Sequence, residues 1–339
     1  MKKFVFVLLM ATSAIAQTQN AQTIVAEAEA EAAKGNHSRA VSLYSKALFY
    51  QPSDPKTYYQ RATSYNELQD NEHTREDYNK AIELDPKFTA AYISRGFMFT
   101  FLGYADNAHD DCEKGFACVK ADENELKDML VMLRGTVAAM KQQYDAAIPD
   151  LQYAFDNLKV EAVKAKAIEN IAKIYAVQKK HDKAIETFEK IIKLYPTVPD
   201  ACQQLAFEYS EIGQYQKAIE MNDKALVNEQ QIKRDENGDV IIMENSKFND
   251  RGNNRIAFIY NNRGYAKHKL GKNAEALADI NHSIGLYPEN SYAYRNRALV
   301  NIALNNKKEG CADIEESLKL EFTKHYGDEV EKLKAVNCK

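Results

Sequence analysis

An all-α stack of antiparallel helical hairpins is the fold class this sequence predicts, and three observations predict it. Pro52 and Pro86 stand 34 residues apart, each closing an apolar helical pattern, KALFYQP and KAIELDP. Aligned on such closures, the chain divides into eight windows of 34 residues: 21–54, 55–88, 89–122, 128–161, 165–198, 199–232, 257–290 and 291–324. A fixed period of this length marks a stacked-repeat architecture. Turn residues are also scarce. The 13 glycines and 7 prolines among 339 residues are about half the usual share, which disfavours sandwiches, barrels and disordered linkers.

The chain opens on an address. Met1-Lys2-Lys3 is positive, Phe4 to Ala16 is an apolar run of 13 residues, and Ala14-Ile15-Ala16 supplies the small residues of a cleavage site before Gln17. Thirteen residues are too few to cross a ~30 Å hydrocarbon core. No cysteine follows directly, so a lipid anchor there is not expected. Residues 1–16 are therefore expected to be a signal peptide, leaving an exported, soluble chain. The net charge of −4 carries no basic excess, which excludes nucleic acid as an expected partner.

Each window then reads as two helices in close contact. The eighth place holds Ala28, Ala62, Gly96, Gly135, Ala172, Ala206, Gly264 and Ala298, and the twentieth Ala40, Thr74, Ala108, Ala147, Ala184, Ala218, Ala276 and Gly310. Small residues at both places let the paired helices approach. The twenty-fourth place is larger and mostly apolar (Tyr44, Tyr78, Leu151, Phe188, Ile314) and fills the seam between units. Gly35, Gly103, Gly213 and Gly271 fall at the turn between helices, where a left-handed residue ends the first helix. Pro149 alone among the prolines falls inside a helix.

This 34-residue unit with its small-residue pattern resembles the tetratricopeptide repeat family. The resemblance implies a right-handed superhelical solenoid of about eight helix-turn-helix repeats with a C-terminal capping helix. Repeats one to six occupy 21–232, an inserted loop or hairpin 233–256, repeats seven and eight 257–324, and the cap 325–339. The ending, with Gly310-Cys311-Ala312-Asp313 and Cys338-Lys339, resembles exported repeat proteins of the Bacteroidota.

A second pattern is less generic. Five windows carry Arg at the seventh place (Arg61, Arg95, Arg134, Arg263, Arg297), each with Asp sixteen residues later (Asp77, Asp111, Asp150, Asp279, Asp313). The three windows lacking that Arg lack the Asp as well. Centred on the turn, the two face each other across the hairpin, so five intrarepeat ion pairs are predicted. An arginine ladder for an anionic ligand is the competing reading, and the aspartates count against it.

In the insertion, Asn237-Gly238 before Val240-Ile241-Ile242 predicts a short β-hairpin. Asp235, Asn237 and Asp239 invite a calcium loop, but Val240 and Ser246 stand where glycine and glutamate are required. Cys311 and Cys338 flank the break EFTKHYGD and face each other in a final hairpin, so a disulfide is predicted, with two independent thiols as the alternative. Cys112 and Cys202 read as buried apolar residues, and Cys118 lies too far along its helix from Cys112 to bond it. No metal-ligand spacing, nucleophile motif or phosphate loop occurs, so no cofactor, metal or catalytic residue is expected.

Function is then expected on the concave face that the family lines with its first helices. Tyr59, Ile93, Phe97, Phe101, Met129, Met132, Leu133 and Met140 predict either an apolar, methionine-rich groove for an amphipathic helix or extended peptide, or side chains that close against the solenoid itself or a second copy, since the helix from Met129 to Met140 is apolar nearly all round. Later windows are more polar there: Gln203, Gln204, Phe207, Asn261, Asn262, Tyr265, His268, Arg295 and Asn296. The Lys/Asn/Arg carboxylate clamp of chaperone-binding relatives is not reproduced, which argues against a C-terminal carboxylate ligand. The expectation is an exported, non-enzymatic scaffold for a protein or peptide partner, placed first in the periplasm, with secretion or outer-membrane association as alternatives. Envelope-glycan binding and a homo-oligomeric structural role are the competing functions.

Overall fold

The computed structural model describes residues 20–196, 198–229, 233–234, 240–241 and 250–338. The leader at 1–16, the Asn237-Gly238 turn and the calcium-type positions Asp235, Asn237, Asp239 and Ser246 lie outside the described residues.

The helices come in consecutive pairs. The first four pairs are α1 (20–33) with α2 (His37–Tyr50), α3 (Pro55–Glu67) with α4 (Asn71–Leu84), α5 (Thr89–Phe101) with α6 (Ala105–Cys118), and α7 (Asn124–Met140) with α8 (Tyr144–Asn157). Next come α9 (Glu161–Val177) with α10 (His181–Leu194) and α11 (Pro199–Glu211) with α12 (Tyr215–Glu229). Beyond the insertion lie α13 (Asp250–Lys269) with α14 (Asn273–Leu286) and α15 (Ser291–Ala303) with α16 (Lys307–Lys319). Two short helices end the chain, α17 (Phe322–Tyr326) and α18 (Glu329–Asn337). In the insertion β1 (Lys233–Arg234) pairs antiparallel with β2 (Val240–Ile241), Lys233 opposite Ile241.

Local chemistry starts and stops these helices. Asp54 caps α3 by accepting from the Lys56 and Thr57 amides, and Pro55 occupies the first turn, where no donor is needed. Asp70 and Asn290 cap α4 and α15 through the His73 and Ala293 amides. Every hairpin turn holds one left-handed residue at the fifteenth place: Gly35, Gln69, Gly103, Gln142, Lys179, Gly213, Gly271 and Asn305. Four of these are not glycine, which the glycine pattern alone does not disclose.

The joints at 123–127 and 162–164 are shorter than the sequence predicts, because α7 and α9 take them up as extra N-terminal turns. Glu, Leu, Lys and Ala, with one Asn and one Val, fill these joints without Gly or Pro, so the helix propagates backwards at little cost. Likewise α13 starts inside the expected insertion, and the break at 321–328 contains α17, whose Phe322 is fully buried.

The chain divides into two compact units, the first ending at Ala167 and the second beginning at Ile168. In the first, Ala28, Ala62, Thr74, Ala108 and Ala147 have no exposed surface at the hairpin contacts. Gly96 makes room for the next repeat instead: a Cβ there would meet a methyl of Leu133 on α7 at 2.6 Å. Tyr44, Tyr78 and Leu151 fill the seams. In the second unit Ala172, Ala206, Ala218, Ala276 and Ala298 repeat the contact, with Phe188, Ile280 and Ile314 in the seams. Its end is closed by Phe322 and Val330, packed with Ala298 and Ile314. No helix among the described residues is long and apolar enough to cross a membrane.

Candidate functional site

The arginines and aspartates recurring sixteen residues apart meet in all five windows. Arg61 donates from Nε and Nη2 to Asp77 at 2.7 and 2.8 Å, and Arg95 to Asp111 at 2.8 and 2.6 Å. Arg134 and Asp150 (2.6 and 2.8 Å), Arg263 and Asp279 (2.8 and 2.6 Å), and Arg297 and Asp313 (3.0 and 2.6 Å) are held the same way. The remaining Nη1 reaches back to the preceding repeat: Arg61 to Ser45, Arg95 to Asn79, Arg263 to Asp223 and Arg297 to Asn281, at 2.6–2.9 Å. Each of these partners is the twenty-fifth residue of its window. The pairs therefore bind hairpin to hairpin as well as helix to helix. In these four arginines both guanidinium edges are engaged and face no ligand, whereas Arg134, its side chain 49% exposed, is held by Asp150 through one edge.

Between α3, α5 and the start of α7 lies a groove of about 470 Å³. Five of the expected residues line it: Tyr59, Ile93, Phe97, Phe101 and Met129. Phe101 is 76% exposed at its rim. The Tyr59 ring lies 5.1 Å from Phe88 and 5.8 Å from Tyr78, and its hydroxyl is 3.2 Å from Ser94 Oγ. Burial pushes the Tyr78 phenol up to about 12, so it remains a neutral hydroxyl.

Met132, Leu133 and Met140 are placed elsewhere. Met132 is buried against Ala154, Leu158 and Ala167, and Leu133 against Ala108, Cys112 and Val137. Met140, half-buried near the end of α7, does not line the groove. The methionine-rich groove thus contracts, because α7 turns its apolar residues into seams on both sides. In exchange the groove gains a polar wall, Thr63, Asn66, Gln69 and Asn71, around the left-handed Gln69. None of its lining residues carries a formal charge.

In the second unit the polar residues expected on an open face are partly enclosed: Asn261, Asn296 and Arg295 are 0, 1 and 7% exposed. The Cys311 and Cys338 sulfurs stand at bonding distance, with Cα atoms 5.7 Å apart. Cys112 and Cys202 are buried, and burial pushes the Cys112 thiol up to about 12. No group of three or more metal-ligating acids, histidines or cysteines occurs among the described residues.

Comparison with known proteins agrees with this geometry. Residues 55–88 and 259–290 match one family model and 166–197 another, both described as tetratricopeptide repeat. Over 76 residues the chain is 37% identical to Hsp70-Hsp90 organizing protein 2 of Arabidopsis thaliana, covering 22% of this chain and 13% of that protein. Over 331 residues it is 24% identical to the TPR repeat-containing thioredoxin TTL4 of the same plant, covering 92% of this chain and 46% of that one. The chain spans less than half the length of either relative. Among solved structures, the APC/C hetero-tetramer Cut9-Hcn1 is similar with a TM-score of 0.63 at 14% identity, over 88% of this chain and 52% of that one. A tetratricopeptide repeat protein from Parabacteroides merdae is similar with a TM-score of 0.55 at 16% identity, over 83% and 99%. At these identities the structural likeness is one of fold. Together with the paired helices and their recurring small-residue contacts, the matches show that the chain carries tetratricopeptide repeats, at 55–88, 166–197 and 259–290.

Proposed function

We propose that this protein is a non-enzymatic scaffold that binds another protein by seating an extended, uncharged peptide segment in the groove of α3, α5 and α7. The observation that carries this reading is the groove's lining. Aromatic and aliphatic side chains form one wall and carboxamides the other, with no formal charge between them. Asn and Gln amides both donate and accept, which matches the alternating N–H and C=O groups of an extended backbone. A helical ligand keeps those groups for itself, so the carboxamide wall favours the extended form. Export is part of the proposal: the leader at 1–16 directs the chain to an oxidising envelope compartment, the periplasm first, where Cys311 and Cys338 stay bonded.

Panning a peptide library against wild type, with counter-selection on Phe101→Asp, tests the reading. Phe101 is largely exposed, so this change spares the core. The expected outcome is enrichment of sequences poor in Asp, Glu, Lys and Arg, which then release a protein captured from envelope extracts. Enrichment of charged sequences, or retention of the same protein by Phe101→Asp, would overturn it. Recovery of saccharide without protein would favour the glycan reading, since aromatic faces and amides also suit sugars. A wild-type dimer in solution that Phe101→Asp dissociates would favour self-association.

A further inference from the structure

Arg295 differs from the five ladder arginines. It is the fifth residue of α15, almost fully buried, and its guanidinium lies 5.5 Å from the ring centres of both Tyr265 and Tyr292. Every ladder arginine spends Nε on its aspartate. The Nε of Arg295 has no acceptor. Its Nη1 donates to Asn296 Oδ1 at 2.6 Å, and Asn296 Nδ2 donates to Asn261 Oδ1 at 3.0 Å. Asn261 Nδ2, at the end of this relay and wholly buried, is again a donor without an acceptor. A buried N–H that loses water and gains nothing is costly, and two in one cluster point to an acceptor not yet supplied.

The carboxylate now present comes from the chain's own C-terminal cap. Glu329, the first residue of α18, meets Nη2 alone and keeps 52% of its side chain exposed. The helix that carries it is fastened by other means: Val330 is fully buried, and Cys338 is joined to Cys311. Glu329 can therefore turn into solvent while α18 stays in place.

We propose that the Tyr265–Arg295–Tyr292 cluster is a binding site for a side-chain carboxylate of an acidic peptide segment, with Glu329 as its displaceable stand-in. The incoming carboxylate takes Nε and Nη2 together, the two-toothed grip the ladder aspartates display and the stronger geometry for this ion pair. The stand-in is itself a side chain on a continuous backbone, so the ligand chain can continue on both sides and need not end there. The two tyrosine rings keep water from the guanidinium and hold it flat. This site lies wholly in the second unit and does not depend on the groove of the first.

The test uses a fluorescein-labelled Gly-Ser-Glu-Glu-Ser-Gly peptide, acetylated and amidated so that no chain terminus is read, and its Gln-Gln counterpart. Glu329→Gln removes the stand-in and is expected to bind the acidic peptide at least tenfold more tightly than wild type. Rising salt should weaken that binding, Arg295→Gln should abolish it, and the Gln-Gln peptide should not bind. Circular dichroism and thiol titration establish that the cap remains in place. Binding that survives Arg295→Gln, or no gain in Glu329→Gln with the cap intact, overturns the proposal. Should Glu329→Gln loosen the cap, wild type decides the matter. There the acidic peptide at millimolar concentration must shift the Tyr265 and Tyr292 ring resonances, and their failure to move overturns the site.

Discussion

A guanidinium–carboxylate pair is worth most where its neighbours keep water away, and the ladder arginines differ in their neighbours. Arg95 sits 5.8 Å from the Tyr92 ring and 5.9 Å from Phe99, and the side chains of Arg95 and Asp111 are 13% and 2% exposed. Arg134 has Val131 and Ala138 at the corresponding places and one ring, Phe116, at 5.2 Å, and its pair is 49% and 18% exposed. Asp111→Leu, which strands a buried cation, is expected to cost about 3 kcal/mol, and Asp150→Leu about 1 kcal/mol or less. Denaturant titration of a double-mutant cycle with Arg95→Met checks this. Strictly additive effects at 95 and 111 would show the pair to be uncoupled. The pairs are legible in the sequence because Arg and Asp recur at one spacing and vanish together. The groove is legible only in part. Tyr59, Ile93, Phe97 and Phe101 follow from helical place, whereas Asn66, Gln69 and Asn71 sit at the turn, beyond the reach of that arithmetic. Met132 and Leu133 mislead for another reason. A helix that is apolar nearly all round does not reveal which side its neighbours cover.

At the scale of one hairpin, the decisive feature is how the first helix stops. In all eight turns the amide following the left-handed residue donates to the carbonyl five residues back, at 2.8–3.0 Å. This is the bond of a Schellman ending, and it requires positive φ at the fifteenth place. Gly103 (φ 83°) meets that requirement, and a Cβ there would touch nothing. Gly103→Ala is therefore expected to cost about 1 kcal/mol from backbone strain alone. Gln142 (φ 59°) already bears that strain, so Gln142→Gly should stabilise by about 0.5–1 kcal/mol, less what glycine loses in the unfolded chain. Thermal melts of the two variants should move in opposite directions. A Gln142→Gly protein that melts lower would mean the glutamine side chain contributes contacts that outweigh its backbone. Four of the eight turns escape a glycine-based reading because the fold tolerates a strained residue wherever the flanking hairpin determines the turn.

At the scale of the whole molecule, a stack of hairpins is stabilised by contacts between neighbours, so perturbations should stay near their origin. The ladder skips repeats five and six, where Ile171 and Leu205 replace arginine and are 4% and 2% exposed. Apolar packing does there what an ion pair does elsewhere, as expected when a buried pair holds little net advantage over a well-packed apolar one. The far side of the eighth hairpin is closed by α17, α18 and the bond between Cys311 and Cys338, 27 residues apart in sequence. Closing a loop of that length constrains the unfolded chain by roughly 3–4 kcal/mol. Reducing it with dithiothreitol should therefore raise amide hydrogen exchange over 307–337 by two or more orders of magnitude wherever exchange needs the cap to open. Exchange over 89–140, in the first unit, should stay unchanged if stability is passed only between neighbouring hairpins. Faster exchange in both segments would show that the array opens as one cooperative body, and that the cap guards every repeat rather than the last.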